Sequence, residues 1–176
     1  MDSLLTQLRC CEMINVLVIG DNAVGKTSLI HYIVHNMRMD NPTTTVGIDF
    51  CTIYTHNDEQ VHIWDIDGEH TLKMVNHRKF HHVFVVCDVH TLDTIPKWRQ
   101  MINTTDAQIT AIVNKCDLLN NSTQMDFELD AIYASASTGF NVDLCRQILC
   151  KSITRVHQIH DRTHAKHGAY KSGCLS

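Results

Sequence analysis

Gly20-Asp21-Asn22-Ala23-Val24-Gly25-Lys26-Thr27 decides how this chain is read. The octet fits G-x-x-x-x-G-K-[ST], a glycine-rich loop whose backbone N–H groups cradle phosphates. The apolar run Ile14 to Ile19 stands in front of it. Val16-Leu17-Val18-Ile19 is uncharged and rich in β-branched side chains, as a parallel strand buried on both faces should be. Behind the loop, Ser28 to Val34 places Leu29, Ile30 and Ile33 on one side of a helix. A strand, a glycine turn and a helix start aim several N–H groups and the positive end of a helix dipole at one point, which suits a polyphosphate. The cradle would run from Gly20 through Asp21, Asn22, Ala23, Val24 and Gly25 to Ser28. Lys26 would reach the β- and γ-phosphates, and the Thr27 hydroxyl would sit on Mg²⁺.

Outside this stretch, the pattern is that of an α/β protein. Gly47 to Thr55 and Gln60 to Ile66 alternate and are β-rich around the turn His56-Asn57-Asp58-Glu59, which predicts a hairpin. His82 to Cys87, Gln108 to Val113 and Ala131 to Ala134 read as further strands. Helices are expected over 26–37, 92–103 and 141–160, with Pro96 tolerable only near the first turn of its helix. Residues 67–80 look polar and irregular, with some helix. Alternating strands and helices predict a mostly parallel sheet of six strands, one antiparallel at the edge, with helices on both faces. We divide the chain into a lead-in at 1–12, one domain at 13–158 and a basic, flexible tail at 159–176.

Composition bounds the function. The 176 residues suit one domain, and the hydrophobic share of 44% supports a real core. No apolar run is long enough to cross a membrane as a helix. The start, Met1-Asp2-Ser3-Leu4-Leu5, lacks a signal-peptide pattern and an N-myristoylation glycine. Eight cysteines form no C-x-x-C pair, which predicts a reduced, cytoplasmic protein. The net charge of −4 argues against nucleic acid as a partner. Lys151, Arg155, Arg162, Lys166 and Lys171 stand against Asp161 alone, so the end of the chain is basic and suits an anionic surface. Thirteen histidines include the i, i+4 pairs His31/His35 and His77/His81 and the series His157, His160, His164 and His167. With no cysteine or acid to complete a site, these are expected to be solvated faces.

Four further stretches narrow the ligand. Asn114-Lys115-Cys116-Asp117 follows a buried strand, and its carboxylate can accept from N1–H and the exocyclic amine of guanine, which adenine cannot match. Asn114 would tie this loop to its surroundings, and the Lys115 stem, with Leu118 beside it, would cover the base. Asp65-Ile66-Asp67-Gly68 ends a strand: Asp65 would hold Mg²⁺ through a water, and the Gly68 N–H would meet the γ-phosphate. Thr45 would complete the Mg²⁺ shell only when a γ-phosphate is present, making its loop nucleotide-sensitive. Ser135-Ala136-Ser137 could offer N–H groups to the guanine carbonyl.

On these residues the chain resembles the Ras superfamily of small GTPases, and within it the Rab proteins. Val46-Gly47-Ile48-Asp49-Phe50 resembles the family's I-G-x-D-F segment, and Ile63-Trp64-Asp65 its entry to the second switch. The resemblance runs from about Asn15 to Cys150. It implies the strand order 2-3-1-4-5-6, a GTP/GDP cycle with Mg²⁺, a monomer, and effectors, exchange factors and activating proteins as partners in membrane trafficking. It further implies an effector surface of Ile48, Phe50 and Trp64, with Phe80 as the third aromatic. Catalysis would rest on Lys26, Thr45, Gly68 and the residue after Gly68.

That residue is Glu69, where the family usually has the glutamine that orients the attacking water. A carboxylate there cannot donate to the γ-phosphate and adds charge where charge is already dense, as does Asp67. Slow hydrolysis is expected. Arg38 stands where an aromatic often stacks on the base; a guanidinium can also stack, with less apolar area buried. Ala23 is expected to keep an ordinary backbone angle. The hairpin, the second switch and the segment between Asp117 and Ser135 are trimmed, leaving at most a turn near Met125 to Leu129. Cys174 is third from the end, not fourth, so a prenylation box is not met, though a lipid there with the basic tail would give peripheral membrane binding. The competing readings are a GTP-binding, effector-recruiting module with little hydrolysis, a nucleotide-free scaffold, and an ATP-using P-loop kinase.

Overall fold

The computed structural model describes residues 13–54, 60–75, 77–102, 107–119 and 130–151. Ile14–Ile19 forms the strand β1, which is central. The other strands are β2 (Ile48–Tyr54), β3 (Gln60–Ile66), β4 (His82–Asp88), β5 (Gln108–Asn114) and β6 (Ala131–Tyr133). Their order is β2-β3-β1-β4-β5-β6, with only the β2–β3 pair antiparallel, as expected.

The period-two alternation of a strand explains why β1 is apolar throughout. Ile14, Val16 and Val18 face one layer, against Leu29, Ile30 and Ile33 of α1 (Lys26–His35). Val142, Cys145 and Leu149, from the helix over 142–151, join the same layer. Leu17 and Ile19 face the other layer, against Leu72 and Val75 of α2 (Glu69–Val75) and Ile95 and Trp98 of α3 (Ile95–Met101). Both faces are covered, so neither set can be polar. Each such side chain contributes about 1.5–3 kcal/mol through burial. Cys87 and Cys145 lie wholly in these layers as small apolar groups.

Parallel strands end at the same edge of the sheet, and this places the site. β1 delivers Gly20 to Gly25, β3 delivers Asp65 to Glu69, β5 delivers Asn114 to Asp117, and β6 leads to Ser135. β2 runs the other way, so its beginning, with Thr45 to Gly47 before it, comes to that edge too. A crevice outside the carboxyl ends of strands, where the strand order reverses, is where open α/β sheets bind ligands.

Element boundaries shift from expectation for local reasons. α1 stops at His35, because Asn36 turns left-handed (φ 55°) and its N–H caps the Tyr32 carbonyl. The predicted helix over 92–103 is a 3₁₀ turn (Leu92–Thr94) followed by α3, with Pro96 in the first turn, where its missing N–H costs nothing. Helix α2 occupies part of the stretch expected to be irregular and ends at Val75, so His77 and His81 share no helix face. The lead-in at 1–12, the turn at 56–59, the segment near Met125 to Leu129, the series His157 to His167 and the tail with Cys174 lie outside the described residues.

Candidate functional site

The loop after β1 closes because two glycines lack side chains. Gly20 sits at φ 147°, and a Cβ there would stand 1.8 Å from the Val86 carbonyl oxygen. Gly25 sits at φ 89°, and its Cβ would stand 2.4 Å from the Asn114 amide nitrogen. Ala23 departs from the expected ordinary angle: it is left-handed, at φ 61°. That geometry costs an alanine about 1–2 kcal/mol. The Ala23 carbonyl accepts a 2.7 Å bond from the Lys115 ammonium, one compensation for the strain. The first turn of α1 holds no acid, so its free N–H groups face no competing carboxylate of their own helix. Lys26 is buried and folds over the loop, donating to the carbonyls of Gly20 (3.0 Å) and Asp21 (2.9 Å). Burial lowers its pKa, against the opposing charges of Asp65, Asp21 and Asp67. A cavity of about 290 Å³ opens here, between residues 22–28 and Pro42 to Thr45, with Asp67 and Lys115 also lining it.

Thr27, Thr45 and Asp65 converge on one point. The two hydroxyls share a 2.6 Å hydrogen bond, Asp65 Oδ2 accepts from Thr27, and the Thr45 oxygen lies 3.4 Å from the same Oδ2. Asp65 is 4% exposed, and its Oδ1 is buried with no hydrogen-bond partner among the described residues. Burial raises its pKa, opposed by the Thr27 hydroxyl and by Lys26. Two hydroxyls and a carboxylate with a spare oxygen form a hard-oxygen set, and this fits a small divalent cation such as Mg²⁺.

Behind the phosphate loop, Asn114 works as a staple. Its amide donates to the Val24 carbonyl at 2.9 Å and the Gly25 carbonyl at 3.4 Å, while its Oδ1 accepts from the Ala136 N–H at 3.0 Å. Three loops are thereby joined through one buried side chain. Lys115 also pairs with Asp88 at 2.8 Å. Burial would raise the Asp88 carboxyl, but the Lys115 bond, the His90 N–H and the Thr91 hydroxyl hold it below its ordinary value. The buried Ser135 hydroxyl donates to Asp117 Oδ1 at 2.5 Å and accepts from the N–H groups of Ser137 and Thr138. Asp117 is thus oriented by the loop expected to neighbour it, and Leu118 beside it is exposed.

The stretch after β3 is tied in two places. Asp67 accepts from the Gly47 N–H at 2.6 Å and from the Thr71 hydroxyl. Gly68 caps α2, its carbonyl accepting from the Leu72 N–H. Glu69 forms an ion pair with Lys97 of α3. The next residue, Trp98, donates from its indole to Asp21 at 3.2 Å. Sequence reading missed Asp88, Lys97 and Trp98. Asp88 had a signal, as a lone acid closing an apolar strand; the other two had none beyond their residue type.

The aromatic surface is smaller than expected. Ile48 and Phe50 are exposed, and Phe50 meets Trp64 edge-on with ring centroids 4.9 Å apart. Trp64 is half-buried, bonded to Asn15 and covered by the Arg78 guanidinium at 4.6 Å. Phe80 is 1% exposed, so it is not itself on the surface where it was expected, although its ring meets Trp64 edge-on with centroids 6.3 Å apart. It stands two residues before β4, in a short connection from α2, and is drawn into the layer of Leu72 and Val75. Arg38 is exposed, lies 3.9 Å from Asp40, and is not among the residues lining the phosphate cavity.

Known proteins are similar to this chain in sequence. A family model described as Ras of Complex, Roc, domain of DAPkinase matches residues 15–117. Ras-related protein Rab-1C of Dictyostelium discoideum is 28% identical over 69% of this chain and 66% of its own length. Human Ras-related protein Rab-32 is 26% identical over 84% of this chain and 77% of its own length. Ras-related protein Rab11A of Lotus japonicus is 32% identical over 60% of this chain and 52% of its own length. The chain therefore belongs to the Ras-like small GTPases, a family of GTP hydrolases, and resembles their Rab members.

Proposed function

We propose that this protein is a Rab-like switch in membrane trafficking that binds GTP and GDP with Mg²⁺ and hydrolyses GTP slowly. The observation that supports this reading best is the Asn114 staple, which ties the phosphate loop to the two base-side loops. The N–H groups of residues 20–28 and the Lys26 ammonium would bind the phosphate tail. Asp117, held by Ser135, would accept from the guanine edge, with Ser135 to Ser137 at the carbonyl and Lys115 and Leu118 at the ring. Thr27, Thr45 and Asp65 would hold Mg²⁺, which supplies charge neutralisation at the phosphates. Arg38 would reach toward the base from its exposed position beside Asp40.

Glu69 limits the chemistry. In the glutamine slot it supplies no N–H to the γ-phosphate, and its pairing with Lys97 draws it toward α3. That pairing favours a second reading, a module that holds GTP and recruits effectors through Ile48, Phe50 and Trp64 with little hydrolysis. Exchange factors and activating proteins would act on the same switches. Cys174 and the basic tail would provide peripheral membrane attachment on the cytoplasmic side. Nucleotide extracted from purified protein tests both: guanine nucleotide is expected, mostly GTP if the second reading holds. ATP competing equally with GTP would overturn them, since a site built on Asp117 should discriminate by about 10⁴-fold.

A further inference from the structure

Loops that sense a γ-phosphate do so because nothing else holds them shut. Here the loop carrying Thr45 is already held. Gly47, two residues on, has both backbone polar groups bonded to Asp67. Its N–H donates to Asp67 Oδ2 at 2.6 Å, and its carbonyl accepts from the Asp67 N–H at 3.1 Å. The second carboxylate oxygen, Oδ1, accepts from the Thr71 hydroxyl of α2, so the side chain is anchored on the far side as well. Gly47 takes the left-handed φ of 82° that this reversal needs. In the same arrangement Thr45 stands 2.6 Å from Thr27, and Asp67 is among the residues lining the cavity beside the phosphate loop.

We propose that Asp67 is a positioning residue that keeps the Thr45 loop closed over the phosphate cavity whether or not a third phosphate is bound. An anion built into the chain does at Gly47 what the ligand's terminal phosphate would otherwise do for the loop. The switch is accordingly biased toward its closed form with GDP, and the surface around Ile48 and Phe50 is presented in both nucleotide states. A hydrogen bond to a charged acceptor shifts such an equilibrium by on the order of tenfold or more. The proposal rests on the guanine-nucleotide reading, but the clasp itself can be measured without nucleotide.

The test is amide hydrogen exchange over residues 42–47 in the full chain, with GDP, with a non-hydrolysable GTP analogue and with neither. In the unsubstituted protein the two nucleotide forms should exchange within about threefold of each other. Asp67→Ala should speed exchange with GDP by about tenfold while changing the GTP-analogue form by less than about threefold. Asp67→Asn keeps an acceptor for the Gly47 N–H and should restore most of the protection. If Asp67→Ala does not fold, Thr71→Val removes the anchoring donor and should give the same asymmetry at smaller size. Protection found only with the GTP analogue, or equal loosening of both forms by Asp67→Ala, overturns the proposal. If no guanine nucleotide binds, the functional reading fails, and nucleotide-free exchange decides the clasp separately: unchanged exchange in Asp67→Ala would sink it.

Discussion

The base end and the switch end of the site are built on different physics. At the base end, the central links are short bonds through buried side chains: Asn114 to Val24 and Ala136, and Ser135 to Asp117. At the switch end, carboxylates crowd together: Asp65, Asp67 and Glu69 lie within five residues, each held by a different partner. The base end keeps Asn114, Lys115 and Asp117 of the family's pattern; the switch end keeps Thr45, Asp65 and Gly68 but departs at Asp67 and Glu69. A binding pocket can be retained through buried, mutually satisfied polar groups while the chemistry beside it is altered by charge alone. Removing a buried partner leaves another group unsatisfied, whereas an exposed carboxylate such as Glu69 needs only one compensating lysine.

The largest effect expected is at Asp117. Asp117→Ala should reduce the preference for GTP over ATP by at least about 10³-fold in competition binding, and a loss below tenfold would break the contrast between the ends. Next is Asn114→Ala, which strands the Ala136 N–H and two carbonyls. About 3 kcal/mol of stability should be lost in urea unfolding, together with nucleotide affinity.

Beneath both ends, His82 of β4 is wholly buried, bonds to Thr110 at 3.0 Å, and is pushed by burial down to about 4. Its folded pKa lies below its unfolded one, so the unfolded chain binds the extra proton between about 4 and 6.5. Stability should therefore rise with pH across that window, by on the order of 2 kcal/mol, and His82→Gln should flatten the slope. A smaller effect is expected at Glu69: Glu69→Gln should raise single-turnover GTP hydrolysis on the order of tenfold, and no change would count against charge as the limit. Smallest is Lys97→Met, which unpairs Glu69 and should change hydrolysis by less than about threefold, since the pair is half exposed and screened by salt.

Much of this was legible beforehand. The alternation of strands and helices and the antiparallel hairpin follow from patterns that are local in the chain, apolar runs, glycines and turn residues, while the strand order came with the resemblance to the family. Phe80 is covered, where exposure was expected, because an aromatic two residues before a strand can face either core or solvent, and here the layer of Leu72 and Val75 takes it in. Ala23 was misjudged because strain at one residue depends on what its carbonyl meets, and Lys115 is far away in the chain.

By itself the sequence determined the framework and the kind of ligand, because hydrophobic periodicity and the G-x-x-x-x-G-K-T and N-K-x-D spacings act within a few residues. Only the tertiary structure decided how the departures are accommodated. That Asp67 holds Gly47, that Glu69 meets Lys97, and that Trp98 touches Asp21 are contacts between residues remote in the chain. A side chain's charge is written in the sequence, but which opposite charge or free N–H it meets depends on how the sheet brings strand ends and helix starts together.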